Sequence, residues 1–205
     1  MHPNPAFRPR LNAADERMLI ESVVAEIGFG IIFMATPDGP RAAHTPIFST
    51  GDGAIQFHLA NANALTPHLD GCTALAVVNG PDAYVSPDWY GQEDQVPTWN
   101  YVSIELEGPV RRMNDDGLTA LLDDLAAAHE AKLAPKPAWH RDKMHAATFE
   151  KMRGAITGFE MEVKAWRPTL KLSQNKSAAD REAVAAQLEA QGKRALAHMM
   201  RAWGG

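Results

Sequence analysis

Two histidines sit at the centre of the residues able to do chemistry: His44 within Ala42–Phe48 and His58 within Ala54–Ala60. Strand alternation sets Ile55, Phe57 and Leu59 on one face and turns Gln56 and His58 to the other. On the preceding stretch, Thr45 and Ile47 share a face and His44 lies opposite. The sequence Thr50-Gly51-Asp52-Gly53 between them predicts a hairpin, which brings the two imidazoles close together off the core face. Three readings stay open for that pair: a polar face toward solvent or a partner subunit, the wall of a cofactor pocket, or a metal pair. The metal reading lacks a third ligand at a matching position. Directly after comes Leu59-Ala60-Asn61-Ala62-Asn63, whose small side chains allow a ligand close to the backbone. Asn63 is placed to cap a short helix from Ala64, leaving free N–H groups that would suit a phosphate. A cap that binds nothing is the plain alternative.

Further along, Trp99-Asn100-Tyr101 opens a strand beside the polar, aromatic segment Asn79–Pro97, which carries Tyr84, Trp89 and Tyr90. Such clustering points to a planar ligand or an interface rich in aromatics. The turn Lys171-Leu172-Ser173-Gln174-Asn175-Lys176 is basic and polar. It reads either as a helix-capping loop or as a hydrogen-bonding lid over a carboxylate, phosphate or ring carbonyl. Glycine-rich dinucleotide and phosphate-loop fingerprints are absent, as are the G-x-S-x-G elbow and H-E-x-x-H. Proteins that use flavin or haem need no nucleophile of their own, because the cofactor supplies the chemistry.

These residues must be positioned by a chain of 205 residues with a formal charge of -5 and one cysteine, Cys72. That length supports a core without disulfides, and one cysteine excludes a disulfide framework and thiolate-rich metal sites. Mild acidity argues against a broad nucleic-acid surface, so direct DNA binding is doubtful. The first residues lack the pattern of a secretory signal and no apolar run reaches membrane-spanning length, so the cytoplasm is the expected compartment. Periodicity predicts a helix over Ala13–Ala25 and strands over Ile27–Ala35, Ala42–Phe48, Ala54–Ala60, Cys72–Val78, Trp99–Glu107 and Gly158–Trp166. Helices are predicted over Asn63–Leu69, Asp116–Leu133, Asp142–Met152 and the tail Ala178–Trp203, which is broken near Gly192. The order suggests one mainly β domain with helices (α+β), a closed or half-closed barrel with helices over its ends and a helical C-terminal tail.

The motifs resemble the PaiB-type FMN-binding proteins, described as negative transcriptional regulators and related to flavin-reductase and pyridoxamine-phosphate-oxidase split barrels. The resemblance rests on His44-Thr45-Pro46, Phe57-His58-Leu59-Ala60 with Ala62-Asn63, Gly80-Pro81, and Tyr84-Val85-Ser86-Pro87-Asp88-Trp89-Tyr90. It continues through Val96-Pro97-Thr98-Trp99-Asn100-Tyr101, His129-Glu130, Ile156 with Gly158-Phe159, and Lys171-Leu172-Ser173-Gln174-Asn175. It implies an FMN-binding split β-barrel acting as a homodimer, with the flavin at the subunit interface. The implied cofactor set is His44, Thr45, Pro46, His58, Leu59, Ala60, Asn61, Ala62, Asn63, Trp99, Asn100, Tyr101, Lys171, Ser173 and Gln174. In that set His44 to Pro46 lie beside the flavin edge, and His58 to Asn63 line the ring and phosphate side. The family pattern has an arginine where this chain has Asn61 and a proline where it has Ala64. Loss of a charge-assisted pair there would weaken phosphate binding by about 1–3 kcal/mol. The implied function is a flavin-dependent oxidoreductase or a redox- or metabolite-sensing regulator. The alternatives are regulation through DNA or a partner, and haem binding or degradation with His44, His58 or His198 as ligand.

Overall fold

Apolar alternation and the two glycine-containing turns organise the first half of the chain. In the computed structural model, which describes residues 2–9 and 11–204, β1 (Phe29–Thr36) and β2 (Gly39–Ser49) form an antiparallel hairpin. β3 (Ala54–Ala60) then returns along β2 with Ile47 opposite Phe57. Gly53, at φ 108°, takes a backbone conformation that side chains disfavour, which is why a glycine closes this second turn. β4 (Thr73–Val85) pairs with β1, setting Ile31 opposite Val77. β5 (Thr98–Arg112), β6 (Ile156–Glu162) and β7 (Ala165–Lys171) complete the strands. The helices are α1 (Ala13–Ile27), α2 (Asp115–Ala131), α3 (Ala146–Arg153), α4 (Ala178–Ala190) and α5 (Arg194–Trp203).

The split β-barrel with helices over its ends, expected from the sequence, is corrected here. The strands make one seven-stranded sheet in the order β4-β1-β2-β3-β6-β5-β7, with a further β4–β5 pairing, and every pairing of known register is antiparallel. The fold is a mixed α/β one, an antiparallel sheet with several helices. The misreading has a local cause. Gly158–Trp166 reads as a single last strand, but the chain breaks at Val163-Lys164 and adds β7, so the strand order ends on an unforeseen strand. β4 also runs seven residues past its predicted end, because Asn79, Asp82 and their neighbours keep strand geometry despite their polarity.

The chain divides into two units, one of residues 1–20, 79–105 and 167–205, the other of residues 21–78 and 106–166. In the second unit, Ile47, Ile55, Phe57, Phe159 and Met161 are fully buried, and the rings of Phe57 and Phe159 stack at 5.6 Å. Each such aromatic contributes about 1.5–3 kcal/mol by leaving water. α2 starts at Asn114, whose side chain accepts from the Gly117 N–H, and buries Leu118, Leu121 and Leu125. Gly158 lets it lie close to β6: a Cβ there would stand 3.1 Å from a Leu118 methyl carbon. In the first unit, Val102, Ile104, Leu170 and Leu172 are buried, as are Val184, Leu188, Leu196 and Met200 of α4 and α5. Arg201 of α5 bonds Glu182 and Glu189 of α4.

Candidate functional site

The second unit presents the hairpin residues as the alternation requires. Thr45 is buried, and its hydroxyl donates to the His58 carbonyl at 2.7 Å, so Thr45 clamps β2 to β3. Leu59 faces the core. His44 is exposed, paired with Ile31 across the β1–β2 ladder, and half-buried Pro46 pairs with Phe29. His44 and Pro46 therefore belong to an outward face that includes Phe29, 49% exposed, and Phe33, 36% exposed.

His58 also points away from the core, but it is covered. It contributes to a cavity of about 340 Å³ shared with α2, α3 and the segment between them. Its Nδ1 is buried and has no hydrogen-bond partner among the described residues. Burial holds its pKa below the ordinary imidazole value, because a charged ring loses more hydration than a neutral one.

The turn after β3 is held from within. The Asn61 amide donates to the Gly154 carbonyl at 2.8 Å, and its oxygen accepts from the Thr157 hydroxyl at 2.7 Å. Its backbone N–H donates to the Ala155 carbonyl at 2.9 Å. Asn61 thus fastens the turn to the start of β6, and its side-chain groups are already engaged. Ala60 and Ala62 are exposed. Asn63 accepts from the Leu65 N–H at 2.9 Å. The expected helix over Asn63–Leu69 is only one 3-10 turn, Thr66–His68, without a side-chain cap. That turn is too short to gather the N–H groups expected to face an anion.

In the first unit, alternation along β5 sends Asn100 inward and Trp99 and Tyr101 outward. Asn100 and Ser173 form a buried pair, the amide donating to the Ser173 hydroxyl at 2.9 Å, with the Met200 sulfur at 3.4 Å. Ser173 holds a φ of 63°, a strained value for a serine. The Gln174 side chain accepts from the Leu172 N–H and donates to the Leu170 carbonyl, tightening the end of β7. Lys171 donates to the Thr98 hydroxyl and lies 5.7 Å from the centre of the Phe7 ring, and burial lowers its pKa. Thr98 and Trp99 are neighbours on a strand, so Lys171 sits on the other side of β5 from the Trp99 ring. Trp99, 54% exposed, meets Tyr84, 47% exposed, edge-on at 6.3 Å. The structure therefore joins Asn100 with Ser173, and leaves Trp99, Tyr84 and Tyr101 as an outward aromatic face.

Sequence reasoning missed two supports. Asp180, at the start of α4, accepts from the Gly91 N–H at 2.9 Å and from Gln92 at 3.0 Å, tying down the loop after β4. The Ser177 hydroxyl and the Gly91 N–H hold its carboxyl below the ordinary carboxylate range. Its signal was a Ser177-x-x-Asp180 spacing, which announces a cap but not a distant loop. Glu130, quoted only as part of a motif, accepts from the Trp139 N–H at 2.8 Å and from Lys136, and so shapes the segment that walls the His58 cavity. Among the described residues no group of three metal-ligating side chains gathers, and no helix is long and apolar enough to cross a membrane.

A family model described as "Putative FMN-binding domain" matches residues 1–165, so the Lys171-to-Asn175 motif lies just beyond it. The chain is 30% identical over 174 residues to protease synthase and sporulation protein PAI 2 of Bacillus subtilis, covering 83% of each chain. Among solved structures it resembles an FAD- and haem-binding protein of Mycobacterium smegmatis, with TM-score 0.59 and 16% identity over 80% of this chain and 76% of that one. The flavocytochrome Anf3 of Azotobacter vinelandii gives TM-score 0.59 at 12% identity, over 82% of this chain and 72% of that one. At such identities the two structures speak for the fold alone.

Proposed function

Because this chain belongs to the PaiB-type family of FMN-binding domain proteins, we propose that it works as an FMN-dependent oxidoreductase and as a homodimer. FMN is the cofactor that family membership indicates. When bound, it accepts and passes on hydride or electrons. The residues present suit the flat ring better than the phosphate. In the first unit, Trp99 and Tyr84 offer half-exposed aromatic surface, the single observation that most favours a planar ligand. In the second unit, His44 offers a ring nitrogen on an apolar outward face. The exposed residues Ala60 to Ala62 offer backbone close to solvent. Position 61 supplies no guanidinium, and its amide is held by Gly154 and Thr157. The phosphate would therefore be held by fewer charge-assisted bonds than the arginine of the family pattern would supply.

The dimer reading rests on the outward sheet face of the second unit. Phe29 and Phe33 lie in line on β1 beside Pro46 and Ala42, an apolar strip of the kind a second copy covers. Oxidoreductase action is tested by mixing FMN-loaded protein with NADH or NADPH without oxygen and following the visible flavin band. The expected result is bleaching faster than that of free FMN. A rate equal to that of free FMN contradicts catalysis by the protein.

A further inference from the structure

The His58 cavity of the second unit is built chiefly of apolar side chains. Trp139 and Met144 come from the segment between α2 and α3, and Phe149 and Met152 come from α3. At about 340 Å³ it lies near the lower bound of small-molecule sites. That is room for a ligand of roughly ten to a dozen heavy atoms. Aromatic and methionine walls favour a flat, polarisable ring.

The charged residues at the cavity are already matched. Arg141 lies 3.3 Å from the Asp123 carboxylate, and its guanidinium lies 5.4 Å from the centre of the Phe149 ring. Arg153 bonds Asp115 at 2.9 Å and Glu150 at 2.6 Å. These two arginines face three carboxylates, so no positive charge is left over to draw in an anion. Beyond these ions the polar groups of the lining are the Trp139 indole N–H and His58, and burial favours the neutral form of that imidazole. Its ring lines the cavity, and its buried Nδ1 has no hydrogen-bond partner among the described residues. A neutral imidazole offers there either a donor or an acceptor, according to tautomer. A hydroxyl satisfies both, whereas a carbonyl or carboxylate satisfies only one.

We propose that this cavity is a binding site for an uncharged bicyclic phenol, its rings held among Trp139, Phe149 and the two methionines and its hydroxyl on His58. Of the residues that the family resemblance gives to the flavin, His58 alone lines this cavity, so competition with FMN decides whether the two sites are distinct. Naphthol, with about eleven heavy atoms, matches the volume and the polarity. At the ligand efficiency of so small a molecule its Kd is about 100 µM.

The test is calorimetric titration of the full-length protein with naphthol, and with naphthalene as the ring without the hydroxyl. One saturable naphthol site per chain is expected. Met152→Trp fills the cavity from an exposed helical position and lowers naphthol affinity at least about tenfold, with FMN binding unchanged. His58→Phe keeps the ring and removes its nitrogens, and so weakens naphthol but not naphthalene. Absence of saturable naphthol binding up to about 1 mM overturns the proposal. So does binding that Met152→Trp leaves intact, or displacement of naphthol by FMN, which would make the cavity part of the flavin site.

Discussion

Asn61 shows how a single side chain divides between ligand and fold. Its amide bonds run to Gly154 and Thr157, so its removal loosens the turn rather than emptying a phosphate site. Asn61→Ala is expected to lower stability by about 1 kcal/mol in urea unfolding and to change FMN affinity less than about tenfold. The buried Asn100–Ser173 pair has more at stake. Asn100→Ala leaves the serine hydroxyl without its amide partner in a closed space and is expected to cost about 1–3 kcal/mol, read in the same way. His58 brings a pH dependence. Its folded pKa lies below the unfolded value of 6.5, so the unfolded chain takes up this proton first. Its contribution is complete above about pH 6.5 and is lost as the pH falls toward the folded value. His58→Phe should therefore show a shallower loss of stability on acidification, measured by urea midpoints across that range. Alternation alone placed Thr45 and Leu59 inward and His44 outward. It could not show that His58 would be covered, because the cover comes from residues between Leu122 and Ile156, far along the chain.

At the scale of elements, most boundaries followed from periodicity, and the failures came where polarity and geometry part company. α2 and the break between α4 and α5 were legible from leucine spacing and from Gly192, which holds a φ of 79° in the structure. β7 was not, because Arg167 and Pro168 interrupt the apolar pattern within it. Neither was the second half of β4. Gly108 marks a close approach within the second unit that no sequence rule announces: a Cβ there would lie 1.8 Å from the Glu162 carbonyl oxygen. Backbone on both sides prevents relaxation, so Gly108→Ala is expected to cost about 3 kcal/mol and to shift the thermal midpoint down. In the first unit, Asp180 holds the loop that follows β4. Asp180→Ala should open that loop, seen as faster proteolytic cleavage between Ser86 and Pro97 with the two helices α4 and α5 intact.

For the molecule as a whole, the motifs carried the family further than the element pattern carried the fold. The strings around His58 and Trp99 lie within the matched FMN-binding segment, whereas the strand count and order needed the structure. The outward β1–β2 face predicts association. In the homodimer proposed above, Phe33→Glu places a charge on that face, and a monomer by light scattering at unchanged circular dichroism is the expected result. The central claim is that this chain binds FMN, and the measurement that tests it most directly is an absorbance titration of apo-protein with FMN, beside riboflavin and haem. Saturable binding of FMN, weakened when Trp99 is changed to Ala, is the predicted result. No saturable FMN binding up to about 100 µM would contradict it.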